Sequence, residues 1–253
     1  MIKFLKTIFL KKGSNMQRLI TFFLLLTITS FSHSSYSSEA NTSEELIAKY
    51  PSIGASSKRA QNGEIICPFL RILRRSGVFD ATNLSNNSDI MVSIIDLALK
   101  TREFGCGIIG CGSVATAVSA GQLSHPADIL RRRAKIGKIN LSNLTRARGV
   151  AHECGLTFSK GGKVISKKVV ASTLAQLKKL SLSKAGRLSK DDLMLVKLNI
   201  CARQKVKPSL AGTLEVGLIY TYLGGEDRGF IDYEDVVRFF NAQMPRTKAI
   251  NYL

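Results

Sequence analysis

The cysteine at position 67 is the residue whose type and setting point most directly to chemistry. Pro68 follows it, and Gly77 closes a stretch of apolar and basic residues that has the length of one short helix. Proline favours the first position of a helix and glycine the position just past its end, so Cys67 is predicted to be the N-cap. The amides of the first turn and the helix dipole then favour a thiolate. Such a sulfur could be a nucleophile, a disulfide partner or an axial ligand of haem iron, and a plain structural cysteine is the alternative.

The first 38 residues have the composition of a secretory signal peptide. Basic residues lead, residues 19–29 form an almost continuous apolar run, and small serines follow. This is the order of a signal sequence, and the run is too short for an ordinary membrane span. We therefore predict a signal peptide over 1–38 and a secreted or periplasmic protein with no transmembrane segment after signal removal. An uncleaved anchor is the alternative.

The rest of the chain is predicted to form a polar N-terminal arm over 39–62 and one domain over 63–253. The formal net charge of the whole chain is +19. Such a charge favours anionic partners such as membrane surfaces, cell-wall polymers or nucleic acid. The basic residues are scattered and tryptophan is absent, so no patch is suited to base stacking. Specific nucleic-acid binding is therefore not expected, whereas an anionic surface remains a candidate partner.

Five cysteines in an exported chain leave at least one that is free, a ligand or intermolecular. Two intrachain pairs with one cysteine left over are the expected arrangement, and Cys67 is the candidate for the one left over. Cys106 and Cys111 are close enough in sequence for a local disulfide, although a small-residue helix contact is an alternative. The pairing among Cys106, Cys111, Cys154 and Cys201 is not fixed by the sequence.

The elements that must position Cys67 are predicted to be helices. Apolar residues recur at helical spacing in these stretches: 68–76, 90–100, 113–121, 164–180, 189–202, 210–223 and 232–241. Asp89 is a candidate cap for the second stretch, and Ser189 is a cap for the fifth. Sustained alternation with a period of two is absent. The fold class is therefore all-α, with loops and at most a short hairpin.

Two further stretches have the glycine and hydrophobic spacing of a calcium loop without its acids. With Gly229 at the sixth position, Gly224 and Arg228 occupy the first and fifth positions, where acids are needed. A loop that begins at Ser181 has Ala185 at its fifth position. Both stretches are therefore interpreted as loops that lead into helices with acidic caps.

Three segments resemble, in the same order, those of the haem-thiolate peroxidases, the group of chloroperoxidase and the unspecific peroxygenases. Cys67-Pro68 with Leu70, Leu73 and Gly77 resembles the proximal helix of that family. Residues 139–153 resemble its Leu-x-x-Leu segment that runs into Glu-His-Asp. Residues 236–240, followed by Pro245, are similar to its C-terminal helix with a Phe-Phe pair. The resemblance extends from residue 65 to the end, about three-quarters of the chain.

The resemblance implies a chloroperoxidase-like helical domain that binds haem through Cys67. Such a protein would use peroxide to oxidise a small organic substrate or a halide. His152 matches the family histidine and Glu153 replaces its aspartate, so these two residues are the candidate catalytic pair. Glu153 would orient the imidazole and His152 would transfer a proton. A purely structural histidine is the alternative for His152.

The chain also departs from the family pattern. Ala151 replaces the first acid of Glu-His-Asp, and Gly155 replaces a serine that helps to hold a cation, so a Mg or Mn site is doubtful. The family's distal glutamate has no counterpart, because residues 164–180 contain no Asp or Glu. A second hypothesis is therefore a catalytically impaired, basic exported protein that binds haem or an anionic partner without turnover. A third is a scaffold without a cofactor, in which Cys67 is in a disulfide.

Overall fold

Helices form most of the structure, a computed structural model that describes residues 42–59, 61–79, 90–106, 108–148, 154–162 and 164–246. Two short two-stranded sheets are the only β-structure in these ranges. The all-α class is confirmed at this level. Among the same residues, none of the helices is both long and apolar enough to cross a bilayer. The predicted signal peptide lies outside the described residues.

The described chain opens with these elements: α1 (Ser43–Lys49), a 3-10 turn (Pro51–Ile53) and α2 (Pro68–Ser76). Thr42 and Glu45 form a capping box that begins α1. Leu46 and Ile53 are fully buried in the core. The polar segment before Cys67 thus contains a helix that its composition did not reveal.

Helix α2 has the boundaries that its sequence predicts. Pro68 is its first residue, and Cys67 is the N-cap with extended backbone angles (φ −75°, ψ 118°). Gly77 ends the helix in the left-handed region (φ 84°), where glycine has no steric penalty. Ile72 and Leu73 are fully buried and hold the helix against the core.

The middle of the chain contains these elements: β1 (Met91–Ser93), α3 (Ile94–Glu103), α4 (Ile108–Leu123), α5 (Pro126–Leu130), β2 (Lys138–Asn140) and a 3-10 helix (Leu141–Arg146). Strands β1 and β2 are antiparallel, with Val92 opposite Ile139. The cap of α3 is Ser93, whose side chain accepts a hydrogen bond from the amide of Asp96. The predicted helix from residue 90 therefore begins four residues later, because residues 91–93 pair with β2.

The C-terminal part contains these elements: α6 (Lys167–Leu182), β3 (Arg187–Leu188), α7 (Lys190–Arg203), α8 (Leu210–Tyr222), α9 (Gly225–Arg228), β4 (Ile231–Asp232) and α10 (Tyr233–Phe240). Ser189 and Asp192 form a capping box at the start of α7, as the sequence predicts for this cap. Strands β3 and β4 pair antiparallel, with Leu188 opposite Ile231. This ladder joins two helix–loop–helix units, α6–α7 and α8–α10.

Candidate functional site

Cys67 is the only cysteine that the structure leaves outside a disulfide. The other four form two bridges, Cys106–Cys111 and Cys154–Cys201, with Cα–Cα distances of 5.9 and 5.5 Å. The expectation of two intrachain pairs with Cys67 left over is confirmed. Cys67 as a whole residue is only partly buried, but its thiol lies in a desolvated setting.

The thiol form of Cys67 is favoured over the thiolate. Burial raises the pKa of the Cys67 thiol above its ordinary value of 9.0. The amides of Leu70 and Phe69 lower this pKa, but Glu215 raises it again and burial prevails. The Cys67 side chain makes no N-capping hydrogen bond with the first turn of α2. The prediction that the helix dipole yields a thiolate is therefore wrong, because desolvation of the charge costs more than the nearby dipoles offset.

Two buried arginines fix the helix that carries Cys67. Arg71 is 2% exposed and Arg75 is 5% exposed. The Nη1 atom of Arg71 donates to the side-chain oxygen of Gln61 at 2.9 Å, and its Nη2 atom donates to the carbonyl of Phe240 at 2.8 Å. Burial lowers the pKa of Arg71 to about 10. Because Arg71 contacts both the segment before α2 and the end of α10, it determines the position of Cys67.

Arg75 binds only backbone carbonyls through the hydrogen bonds that the structure describes for it. These carbonyls belong to Ser57, Arg59, Asn241 and Ala242, at 2.9–3.3 Å. The carbonyls of Asn241 and Ala242 follow directly on the last turn of α10, where unpaired oxygens need donors. Cys67, Arg71 and Arg75 stand four residues apart and therefore share one face of the helix. That spacing is the sequence signal by which these arginines could have been found.

Aromatic side chains bring together two of the three family-like segments. The ring of Phe69 in α2 meets that of Tyr222 edge-on at 5.0 Å, and Tyr222 meets Phe239 at 5.1 Å. Phe239 and Phe240, the pair of the third segment, are both buried. The Cys-Pro helix and the C-terminal helix are therefore packed against each other.

The second family-like segment is only partly described. His152 and Glu153, the predicted catalytic pair, lie outside the described residues, as does Ala151. The chain after them returns to Cys67, because the hydroxyl of Thr157 donates to the carbonyl of Ile66 at 3.1 Å. The residue that precedes Cys67 is therefore tied to the chain that follows Glu153.

Gly155 stands where the family resemblance expects a serine. A Cβ atom there would lie 2.0 Å from the ring carbon Cε1 of Phe158. The buried ring of Phe158 thus fills the space that a serine side chain would need. Within the described ranges, no group of three or more His, Cys, Asp or Glu side chains is placed to hold a metal ion.

A cavity of about 530 Å³ lies beside α2 on its arginine-bearing side. It is lined by Arg59, Gln61, Asn62, Gly63, Glu64, Arg74 and Arg75. Burial lowers the pKa of Arg75, and repulsion by the Arg59 guanidinium lowers it further. Three guanidinium groups and one carboxylate, that of Glu64, make the lining positive, so the cavity suits an anion.

Comparison of the chain with protein-family models, curated proteins and solved structures gave no match. The functional conclusions therefore depend on the residues and contacts described above. The strongest of these features is a single free cysteine at the start of a firmly anchored helix.

Proposed function

We propose that the protein is an exported haem-thiolate peroxidase of the chloroperoxidase and peroxygenase type, with Cys67 as the axial ligand of haem iron. The observation that carries this proposal is the state of Cys67. It is the one cysteine outside a disulfide, and it is the N-cap of a helix that begins with proline. The packing of Phe69 on Tyr222 supports the proposal, because Tyr222 in turn contacts the Phe239-Phe240 segment.

The donor offered at this position is a free thiol, which is the ligand type of a haem-thiolate site. Burial disfavours a bare thiolate at this position, and a cation bound directly to the sulfur would compensate that charge. The amides of Phe69 and Leu70 favour negative charge on the sulfur, which tunes its basicity as a ligand. Haem bound here would supply the activation of peroxide, which a thiolate ligand promotes by donating electron density.

The remaining roles fall to residues of the chain itself. His152 would transfer a proton of the peroxide, and Glu153 would orient the imidazole. The substrate is a small organic molecule or a halide. The two disulfides support a secreted or periplasmic location, because such bonds persist in oxidising compartments.

An absorption spectrum tests the ligand assignment. The protein is produced with haem supplied, reduced and exposed to carbon monoxide. We expect a Soret band at the long wavelength typical of a thiolate–iron–CO complex, and we expect C67A to lose it. S76A, at the other end of the same helix, is the control and should keep the band. Absence of bound haem, or an unchanged spectrum in C67A, would overturn the proposal.

Turnover separates an active enzyme from a haem-binding protein without activity. With a dye substrate and peroxide, H152A should lose activity by about 10²–10⁴-fold, the usual contribution of a general acid–base. Its Soret band should not change, because His152 is not assigned as a ligand.

A second candidate function is anion binding without turnover, and the arginine-lined cavity favours it. Positive charge from Arg59, Arg74 and Arg75 converges on one cavity of about 530 Å³. Titration with inorganic phosphate, followed by calorimetry, tests this function. R59Q/R74Q should weaken phosphate binding at least tenfold, whereas R131Q, at an exposed position, should not change it. Peroxide turnover by the haem-loaded protein would instead favour the first function.

A further inference from the structure

Both C-terminal helix–loop–helix units have the frame of a twelve-residue calcium loop. The first loop extends from Ser181 to Asp192 and the second from Gly224 to Asp235. Glycine occupies the sixth position of each loop, Gly186 (φ 82°) and Gly229 (φ 73°). A calcium loop requires glycine at this position for its sharp turn and an acid at the twelfth position.

The two loops also pair with each other. Leu188 and Ile231, each the eighth residue of its loop, are directly opposite in the β3–β4 ladder and fully buried. The amide of Tyr233 donates to the carbonyl of Gly186 at 2.9 Å, which extends the contact beyond the ladder. The frame of two helix–loop–helix units is therefore complete, although the sequence lacks the calcium-binding acids.

The twelfth residue of the first loop has a cation from the chain as its partner. The Nζ atom of Lys184 lies 2.8 and 2.7 Å from the two carboxylate oxygens of Asp192. A calcium loop uses its twelfth residue in the same two-oxygen manner, with the metal ion in the position of the ammonium. We propose that the Lys184 ammonium takes the place of the metal ion. The paired helix–loop–helix units are then stabilised by a lysine of the chain and do not need calcium.

The other ligand positions of the first loop agree with this assignment. The hydroxyls of Ser181 and Ser183 donate to the carbonyls of Lys178 and Leu180, within their own helix turn. Ala185, at the fifth position, offers no side-chain oxygen. Among these positions and the twelfth, a divalent cation would find one carboxylate in this loop, that of Asp192, and Lys184 already neutralises it.

The second loop has an analogous internal cation. Arg228, at its fifth position, donates to the carboxylate of Asp232 at 2.9 Å and to the carbonyl of Leu223 at 2.7 Å. The guanidinium groups of Arg187 in the first loop and Arg228 lie over the ring of Phe230, at 4.3 and 5.0 Å from its centroid. Cation–π contacts therefore connect the two loops. In a calcium-binding pair of loops, bound metal ions would stabilise this region instead.

Thermal unfolding of the full chain with and without calcium tests the proposal. The melting temperature of the native protein should not change with added calcium or with a chelator. K184M should melt about 2–4 °C lower, and millimolar calcium should restore part of that loss, because the Asp192 carboxylate, although still bonded to Ser189, then has no cation beside it. Sodium chloride at the same ionic strength should restore nothing. The double variant K184M/D192N should not respond to calcium.

K190M is the matched control. Lys190 also pairs with an acid at 2.8 Å, but that acid, Glu226, is 50% exposed whereas Asp192 is 9% exposed, so its loss should change little. Should K184M fail to fold, K184R, which keeps a cation, must fold for the proposal to stand. Three results would overturn the proposal: stabilisation of the native protein by calcium, a K184M variant as stable as K190M, or a destabilised K184M that calcium does not stabilise.

Discussion

The Nη2 atom of Arg71 donates a 2.8 Å hydrogen bond to the carbonyl of Phe240, 169 residues away in sequence. Phe240 is the last residue of α10, and the last carbonyls of a helix have no partner within it. A cation suits the negative end of the helix dipole as well. Arg71 therefore caps α10 and anchors the helix that begins at Cys67.

Loss of this contact should destabilise the protein. We expect R71M to reduce the free energy of unfolding by about 2 kcal/mol, because the oxygens of Phe240 and Gln61 lose a donor in a buried setting. Urea denaturation measures the change. R102M, at an exposed position of α3, should stay within about 0.5 kcal/mol of the native protein. Equal stability of the two variants would contradict the anchoring role.

Cys67 should be the one cysteine that reacts in the native chain, and it should react slowly near neutral pH. The raised pKa of its thiol leaves little thiolate below pH 9. Alkylation by iodoacetamide, followed by mass spectrometry as a function of pH, should give one label with a midpoint above 9. C67S should take up none. A midpoint below 9 would mean that the helix dipole outweighs burial after all.

The same experiment tests the influence of Glu215 on Cys67. Glu215 raises the pKa of the thiol through its negative charge, so E215Q should move the alkylation midpoint to lower pH. Glu215 also forms an ion pair with Lys197, whose side chain is fully buried. E215Q should therefore lower stability too, because it leaves that ammonium without a counter-charge. E226Q, at an exposed acid, should leave the midpoint unchanged.

Introducing at position 155 the serine that the family resemblance expects should destabilise the protein unless Phe158 changes with it. The added Cβ would lie 2.0 Å from the Phe158 ring, and such overpacking costs about 1–3 kcal/mol or more. We expect G155S to lower the melting temperature. The double variant G155S/F158A should lower it by less than the sum of the losses in G155S and F158A. Strict additivity of the two changes would show that the ring and position 155 do not compete for space.

Asp192 should contribute to the pH dependence of stability. Burial alone would raise the pKa of Asp192, but hydrogen bonds from Lys184 and Ser189 outweigh it, so the pKa lies below its ordinary value of 3.8. The folded state then binds fewer protons than the unfolded state. The contribution is fully present above pH 3.8 and is lost as pH falls through the folded pKa.

Melting temperatures recorded from pH 7 down to pH 3 check this sign. D192N should show a shallower decline at the acidic end than the native protein. D191N, an exposed neighbour in the same first turn, should follow the native curve. An equal decline in D192N and the native protein would contradict the assigned shift.

Local chemistry explains which elements could be predicted from the sequence. The limits of α2 follow from Pro68 and Gly77, and the start of α7 follows from Ser189, because caps act within one turn. Strand β1 could not be predicted in this way, because its partner β2 is more than forty residues away. Helix α1 was missed because most of its residues are polar and Leu46 is its only large side chain that is fully buried.

In the candidate site too, features set by the local sequence could be predicted and features set by distant contacts could not. The odd cysteine count requires one cysteine left over, the helix start at Pro68 made Cys67 the candidate, and the disulfides bear this out. The sign of its pKa shift could not be predicted, because it depends on burial and on Glu215, which folding brings near. Lys184 was missed for a similar reason: an ammonium in place of a metal ion is recognised only from its distances to Asp192.

The two disulfides have a consequence for the order in which the protein matures. A reduced chain carries five thiols, and if the protein binds iron as we propose, each is a soft ligand that could bind it. Formation of the Cys106–Cys111 and Cys154–Cys201 disulfides consumes four of these thiols and leaves Cys67 as the one free thiol. Oxidation before cofactor loading would then give a uniform product, whereas loading of a reduced chain would give a mixture of ligation states. Under the proposed function, closure of the two disulfides would therefore limit iron ligation by cysteine to Cys67.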